Sequence, residues 1–232
     1  MKYTLLITLF FFLQNVSLSQ DVKLGFQSGI GKYDMEGLKK LNSDVAFNLP
    51  FNVKTIDNYP NYFFYKPKVE LSYNVLSFGC ILAYYSTGSR LSVKDYSGEY
   101  LFDSKIKAWA PGIYLNLRLS PEGKSYLISL YSEIGKMYTT LILKEYFKFD
   151  NIEEINTKEF FTSTNYFFEP GIKCSYRYKS LGVELSVGNF IQFGSGIFES
   201  TDGVFIINSG KELQPEWDGF RVGLTLFLIS PW

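Results

Sequence analysis

Four glutamates offer this chain its one route to catalysis. Glu70, Glu133, Glu169 and Glu184 fall on strand-length stretches and share a face with Arg118, Lys173, Arg177 and Arg221. Two carboxylates in unlike surroundings can divide the work of general acid and general base. The same residues can also do something plainer. Buried charges need partners, and Lys68, Arg118, Lys173, Arg177 and Arg221 can neutralise the glutamates in a packed interior. The plainer reading is preferred: a structural charge network, with Arg118, Arg177 and Arg221 each within salt-bridge distance of an inward Glu.

The rest of the chemistry is sparse. The sequence contains no histidine, so the side chain best suited to proton transfer near neutral pH, and the commonest transition-metal ligand, is missing. The acidic stretch Asp150-Asn151-Ile152-Glu153-Glu154 lacks the ligand spacing of a calcium loop. Gly29-Ile30-Gly31 and Gly194-Ser195-Gly196 precede no helix, so they read as loop entries rather than phosphate cradles. No catalytic, cofactor-binding or metal residue is assigned.

The elements that must hold the charged residues are strands. Leu224, Leu226 and Leu228 share one face, and Arg221, Gly223 and Thr225 share the other. The same alternation recurs at about 22–31, 63–74, 77–87, 105–120, 125–140, 160–178, 181–193 and 217–229. One set is bulky and apolar, as in Tyr65, Pro67, Val69, Leu71 and Tyr73, or Leu181, Val183, Leu185 and Val187. The opposite set holds Gly79, Ala83, Gly112, Gly135, Gly171, Gly182, Gly188 and the charges. Period alone does not say which face is inside. Size does, because an interior of about eight strands has little room, and rows of Leu, Phe and Tyr from every strand would overfill it.

Connections alternate between short (74–76, 120–124, 179–180) and long (about 32–62, 88–104, 141–159, 194–216). The prediction is an all-β fold: a transmembrane up-and-down antiparallel β-barrel of about eight strands, with short periplasmic turns and long extracellular loops. An even strand number closes the sheet and removes edges that lipid could not satisfy. Pro67, Pro111 and Pro170 each begin a strand returning from a long loop and should mark a strand start or a bulge. Arg90–Val93 with Tyr100–Lys107, and Tyr138–Phe149 with Glu159–Phe167, can extend the barrel as hairpins. Asp34 to Leu41 is a short helix candidate with Asp34 as cap. The dense aromatics of Tyr59–Tyr65 and of Phe147–Phe167 read as hairpin packing ahead of a recognition patch.

Residues 1–19 read as a signal peptide: Lys2, an apolar run from Leu5 to Leu13 too short to span a bilayer, and Ser17-Leu18-Ser19 before a cut near Gln20. The domain is then 20–232. Basic and acidic residues balance at 23 each, and losing Lys2 leaves a slight acidic excess, so there is no nucleic-acid footprint. Aromatics are 19% of the chain, with 18 Tyr and 22 Phe, which suits membrane–water interfaces. Cys80 and Cys174 fall on the apolar face of strands distant in chain order and read as lipid-facing thiols rather than a disulfide.

The signal, the strand rows and the finish from Trp217 to Leu228 together resemble the small outer-membrane β-barrel domain family, the porin-like family of OmpA- and OmpX-type barrels. Trp232 resembles the aromatic C-terminus that such barrels present to the barrel assembly machinery, and Pro231 departs from the usual last strand. The resemblance implies a bacterial outer-membrane location, outer-membrane lipid as surroundings and the assembly machinery as a partner during biogenesis. The resemblance is specific for architecture and not for activity. With about eight strands the lumen should be plugged by side chains, since porin channels need roughly twice as many strands to hold water, and the function expected is a non-enzymatic structural or interaction role through the extracellular loops or periplasmic turns. The known enzymatic outer-membrane barrels place a histidine in the active site, so its absence counts against them. Two alternatives stay open: an accessory subunit of an outer-membrane transport or secretion complex, and a histidine-free ligand-binding or enzymatic barrel. A soluble calycin-like barrel, with the apolar rows turned inward, is the structural rival.

Overall fold

The computed structural model describes residues 21–94, 96, 98–121, 125–149, 155–200, 202–203, 206–208 and 211–231. The signal segment, Asp150–Glu154 and Trp232 lie outside the described residues. In chain order the elements are β1 (Asp21–Gly31), α1 (Glu36–Asn48), β2 (Lys54–Asn58), β3 (Tyr62–Tyr73), β4 (Leu76–Lys94), β5 (Gly98–Arg118) and β6 (Tyr126–Phe149). They continue with β7 (Ile155–Tyr178), β8 (Leu181–Phe193), β9 (Glu199–Ser200), β10 (Ile207–Asn208), β11 (Lys211–Glu212) and β12 (Gly219–Pro231).

Eight long strands form a ring in the order β1, β3, β4, β5, β6, β7, β8, β12, each pair antiparallel. Val22 facing Ser230 closes it, so both ends of the barrel chain lie beside the short turns. Because side chains alternate along a strand, one register choice sorts every residue to one face. Leu24, Val69, Phe78, Ile113, Leu130, Ile172, Leu185 and Leu226 point outward and are exposed, while Glu70, Tyr114, Glu133, Glu169, Lys173 and Glu184 are buried inside. Cys80 and Cys174 are free thiols on the outward face. This sidedness predicts the effect of a single charge. Leu226→Arg, at a position 63% exposed, should destabilise the protein in a bilayer by about 2–4 kcal/mol. A soluble barrel would tolerate it, and urea titration of the vesicle-refolded protein distinguishes the two.

The wall is lopsided. β4 to β7 continue as ladders well past the height of β1, β3, β8 and β12, with Val93 facing Tyr100 and Ile142 facing Phe160. The two hairpin extensions expected from the sequence are therefore parts of single long strands. β2 pairs along β4, and β9 along β7. Helix α1 lies over the barrel mouth, burying Leu38 and Asn42. Leu91, Tyr100 and Phe102 on the inner face of the tall wall pack with Val45, Leu49 and Phe51 from the helix end and the segment after it.

Several expectations are corrected. The prolines begin no strand and cause no bulge. Pro67, Pro111 and Pro170 sit within long strands, each paired on one side and unpaired on the other, and the register is the same above and below each gap. A residue without an N–H breaks the ladder on one edge, and the neighbouring pairs hold the rest. Asp34 does not cap the helix. Met35 occupies the cap position in the left-handed region at φ 47°, with no side-chain cap bond, and the helix runs on to Asn48. In its first turn the Gly37 N–H donates to Glu216 Oε2 at 2.8 Å, a partner 179 residues away that a local reading misses. Gly29–Gly31 ends β1 rather than opening a loop. Trp217 precedes its strand and folds into the lumen; Gly219, at φ 143°, makes that bend, where a Cβ would collide with the Lys32 carbonyl.

Candidate functional site

Among the described residues the charged side chains converge on the inward face of the barrel, in layers along its axis. At the short-turn end lies an open cup of about 580 Å³ lined by Asp21, Lys23, Asn116, Arg118, Lys173 and Arg177, among others. Arg177 Nη1 meets Asp21 Oδ2 at 3.0 Å, and its Nε donates to the Lys179 carbonyl. Arg177 thus finds an aspartate at the rim, not an inward glutamate, because its place two residues from the turn leaves it at the mouth. Arg118 lines the same cup.

Above the cup, β1, β3, β7 and β8 bring five charges together. Lys23 holds Glu70 at 2.9 Å, and Lys173 bridges Glu70 at 3.4 Å and Glu184 at 2.9 Å. Lys68 also pairs with Glu184. Ser175 and Thr225 donate to Glu184 at 3.2 and 3.4 Å, and Lys173 bonds the Tyr114 hydroxyl. One rung higher, Lys66 lies between Glu133 at 2.5 Å and Glu169 at 3.2 Å. Arg221 reaches Glu169 at 3.4 Å, and Tyr131 donates to its other oxygen at 3.0 Å. Each of the four glutamates therefore faces a cation. The lower group has one cation in excess, and the upper group is balanced.

A ring layer follows. The Arg221 guanidinium lies 3.4 Å from the centroid of Phe190 and 4.0 Å from that of Tyr85. Phe167 stacks on Phe190, and Tyr33 meets Trp217 edge-on at 5.0 Å. The Trp217 indole N–H donates to Thr139 at 3.1 Å. The rings fit because their neighbours on the adjoining strands are glycine: a Cβ on Gly135, the cross-strand partner of Phe167, would come within 2.7 Å of the Phe167 ring. Met35 and Leu38 close the layer from above. Beyond the rim, Asn42 of α1 donates to Ser89, and the Tyr59 hydroxyl bonds Ser104. Burial raises the Tyr59 phenol well above its usual range, so it stays protonated.

The structure thus gathers Glu70, Glu184 and Lys173 into the lower group and Glu133, Glu169 and Arg221 into the upper one, and leaves Arg118 and Arg177 at the mouth. Three features lie beyond the sequence assignment. Lys66, with no exposed area, is central to the upper group. Its place in the alternation, sharing a face with Lys68 and Glu70 opposite Tyr65 and Pro67, was the signal for it. Lys23 is the second. The third is the aromatic content of the interior: Phe64, Tyr85, Tyr114, Tyr131, Phe167 and Phe190 all point inward, where small and charged residues are expected from the sequence because rows of Leu, Phe and Tyr from every strand would overfill it. Of the dense aromatic stretches, Tyr59, Phe64, Phe161 and Phe167 pack inside, while Tyr62, Phe63, Tyr65, Phe160 and Tyr166 face out.

No family model matches the chain, and no curated protein does. Among solved structures it is similar to the attachment invasion locus protein Ail of Yersinia pestis (14% identity over 90% of this chain and 94% of that one, TM-score 0.36). It is also similar to Neisserial surface protein A (8% identity, 92% and 98%, TM-score 0.40) and to a major outer membrane protein of Thermus thermophilus (13% identity, 89% and 99%, TM-score 0.49).

Proposed function

We propose that this chain is a sealed β-barrel of a bacterial outer membrane that carries out no catalysis and works as an interaction module through its tall wall and long loops. One observation carries the reading: the outer face is apolar over the depth of a bilayer, while ion pairs and rings fill the interior above the cup. From Leu76 to Tyr84 on β4, and from Phe168 to Tyr178 on β7, the outward rows rise about 21–26 Å at ~3.4 Å per residue and a ~40° tilt, close to the ~25 Å apolar band of such barrels.

Exposed rings stand at both ends of these rows. Tyr73, Tyr126, Tyr176 and Tyr178 lie toward the short turns, and Tyr65, Trp109, Tyr138 and Tyr166 toward the long loops, as interfacial side chains do. A soluble chain would leave this belt in water, well beyond the apolar patch a monomer tolerates. A calycin-like barrel would turn the same rows inward, and here they point out.

The buried ion pairs and stacked rings on the inward face argue against a conduit. The ion-paired glutamates argue against the acid–base pair, since none is set apart from a cation to serve as a neutral acid. That leaves the outer end for recognition, with the surrounding lipid and, during biogenesis, the barrel assembly machinery as further partners. Planar-bilayer recording tests the seal. Protein shown to be inserted by heat-modifiable migration should give no stepwise conductance, and steady porin-like steps would overturn the sealed reading.

A further inference from the structure

A second concave surface lies at the end of the barrel opposite the long loops. The cup at the short-turn mouth, about 580 Å³, has the size of a small-molecule site. Five cations line it: Lys23 from β1, Arg118 from β5, Lys173 and Arg177 from β7, and Lys179 from the turn that follows. Asp21 is the one acid on its described lining, and Arg177 holds it at 3.0 Å. The glutamates above do not restore the balance, because Glu70 and Glu184 are shared among Lys23, Lys68 and Lys173. Among the described residues, cup and lower group together set six cations against three acids. Glu122 and Lys124, in the 120–124 connection, cancel in charge. Register sets hydroxyls between the cations. Ser129 faces Arg118 on one side and Lys173 on the other, with the two outer strands about 10 Å apart. The Arg177 N–H donates to the Ser125 carbonyl, which brings a second serine beside the rim.

We propose that this cup is a receptor site for a small water-soluble solute carrying two or more oxyanion groups, carboxylate or phosphate. The cations stand around the cup, on β1, β5, β7 and a turn, so a solute with one charged group meets only part of them. Low-dielectric walls around charges of one sign concentrate counter-ions, and here the wall is a strand ring with an apolar outer face. Guanidinium groups pair with oxyanions through two N–H donors at once, and serine hydroxyls add further donors. The ion pairs and rings above the cup close its inner end, so a solute enters and leaves by the same mouth. The site retains its ligand and does not conduct it. The cup itself rests on the barrel geometry; that it opens on the periplasm rests on the membrane reading above.

The test uses protein purified from membranes as the cell processes it, held in a non-ionic detergent and checked for heat-modifiable migration. It is titrated calorimetrically at low salt with citrate, with pyrophosphate and with acetate. Wild type should bind citrate or pyrophosphate at least tenfold more tightly than acetate, and the tighter of the two identifies the oxyanion class. Arg177→Gln/Lys179→Gln, both at the rim, should bind that polyanion about 30-fold more weakly, following roughly fivefold per cation removed at contact distance in water. Ser129→Asp removes no ion pair and adds an acid between Arg118 and Lys173, and it should weaken binding as well. Lys40→Gln, on α1 at the opposite end, should bind as wild type. Acetate bound as tightly as both polyanions, unchanged binding in both cup variants, or no binding of any of the three would each overturn the proposal. Failure to enter bilayers would instead overturn the membrane reading, so the two failures are distinguishable.

Discussion

Lys66→Met should cost the barrel about 3–5 kcal/mol of folding stability, as breaking a buried ion pair does when one partner remains charged. The Lys66 ammonium lies between Glu133 and Glu169, which are 2% and 1% exposed. Without it, Arg221 alone faces two carboxylates, and Arg221 contacts only Glu169. Glu133 is then a stranded charge with no water to solvate it. The second half of the prediction is rescue. Lys66→Met/Glu133→Gln restores the charge balance of the upper group and should recover most of the loss, giving a large coupling energy in the double-mutant cycle. Urea titration in vesicles, following the heat-modifiable fraction, reads both. Additive losses would mean that the two residues do not act as a pair.

Trp217→Ala should cost a comparable amount, about 3–5 kcal/mol for removing a fully buried large ring. The indole packs between Tyr33 and Tyr85, and no wall side chain can move in, because strand backbones hold the cylinder open. Its N–H also satisfies Thr139. Trp217→Phe separates the two contributions: it keeps most of the volume and should lose only about 1 kcal/mol for the hydrogen bond. Because Trp217 lies beneath α1 through Tyr33 and Met35, the alanine variant should also expose residues 32–61 to limited proteolysis before the barrel itself unfolds. Uniform resistance of that segment would contradict the layered packing.

The two variants probe features with different visibility in the sequence. All eight long strands were legible, because a period of two over nine or more residues survives any loop chemistry, and alternating connection lengths fix the up-and-down order. The face of each charge was legible for the same reason. What each charge touches was not. Lys173 reaches Glu70 across 103 residues of sequence, and Arg177 reaches Asp21 across 156. Those distances are set by strand tilt and stagger, which alternation does not encode.

The inward rings were missed through a volume argument made strand by strand. A Phe or Tyr overfills a small barrel only if its neighbours are also large; here Phe167 lies against Gly112 and Gly135, and Phe64 against Gly29. Setting a large ring beside a glycine on the neighbouring strand is a property of the strand register, invisible along any one strand. The helix boundary failed for a similar reason. Glu216 stabilises its first turn from the far end of the chain, where a local side-chain cap was expected. The long-loop surface remains the least legible part, since loop chemistry varies freely on a fixed scaffold.

Brominated-lipid quenching tests the orientation of the two faces most directly. One single-tryptophan protein keeps Trp109, which is exposed on the outer face, and the other keeps Trp217, which is buried in the lumen; the remaining tryptophans become phenylalanine. In vesicles of lipid brominated high on the acyl chains, Trp109 emission should be strongly quenched and Trp217 emission left nearly unchanged. Equal quenching, or the reverse order, would contradict an apolar face turned to lipid around a packed, charged interior.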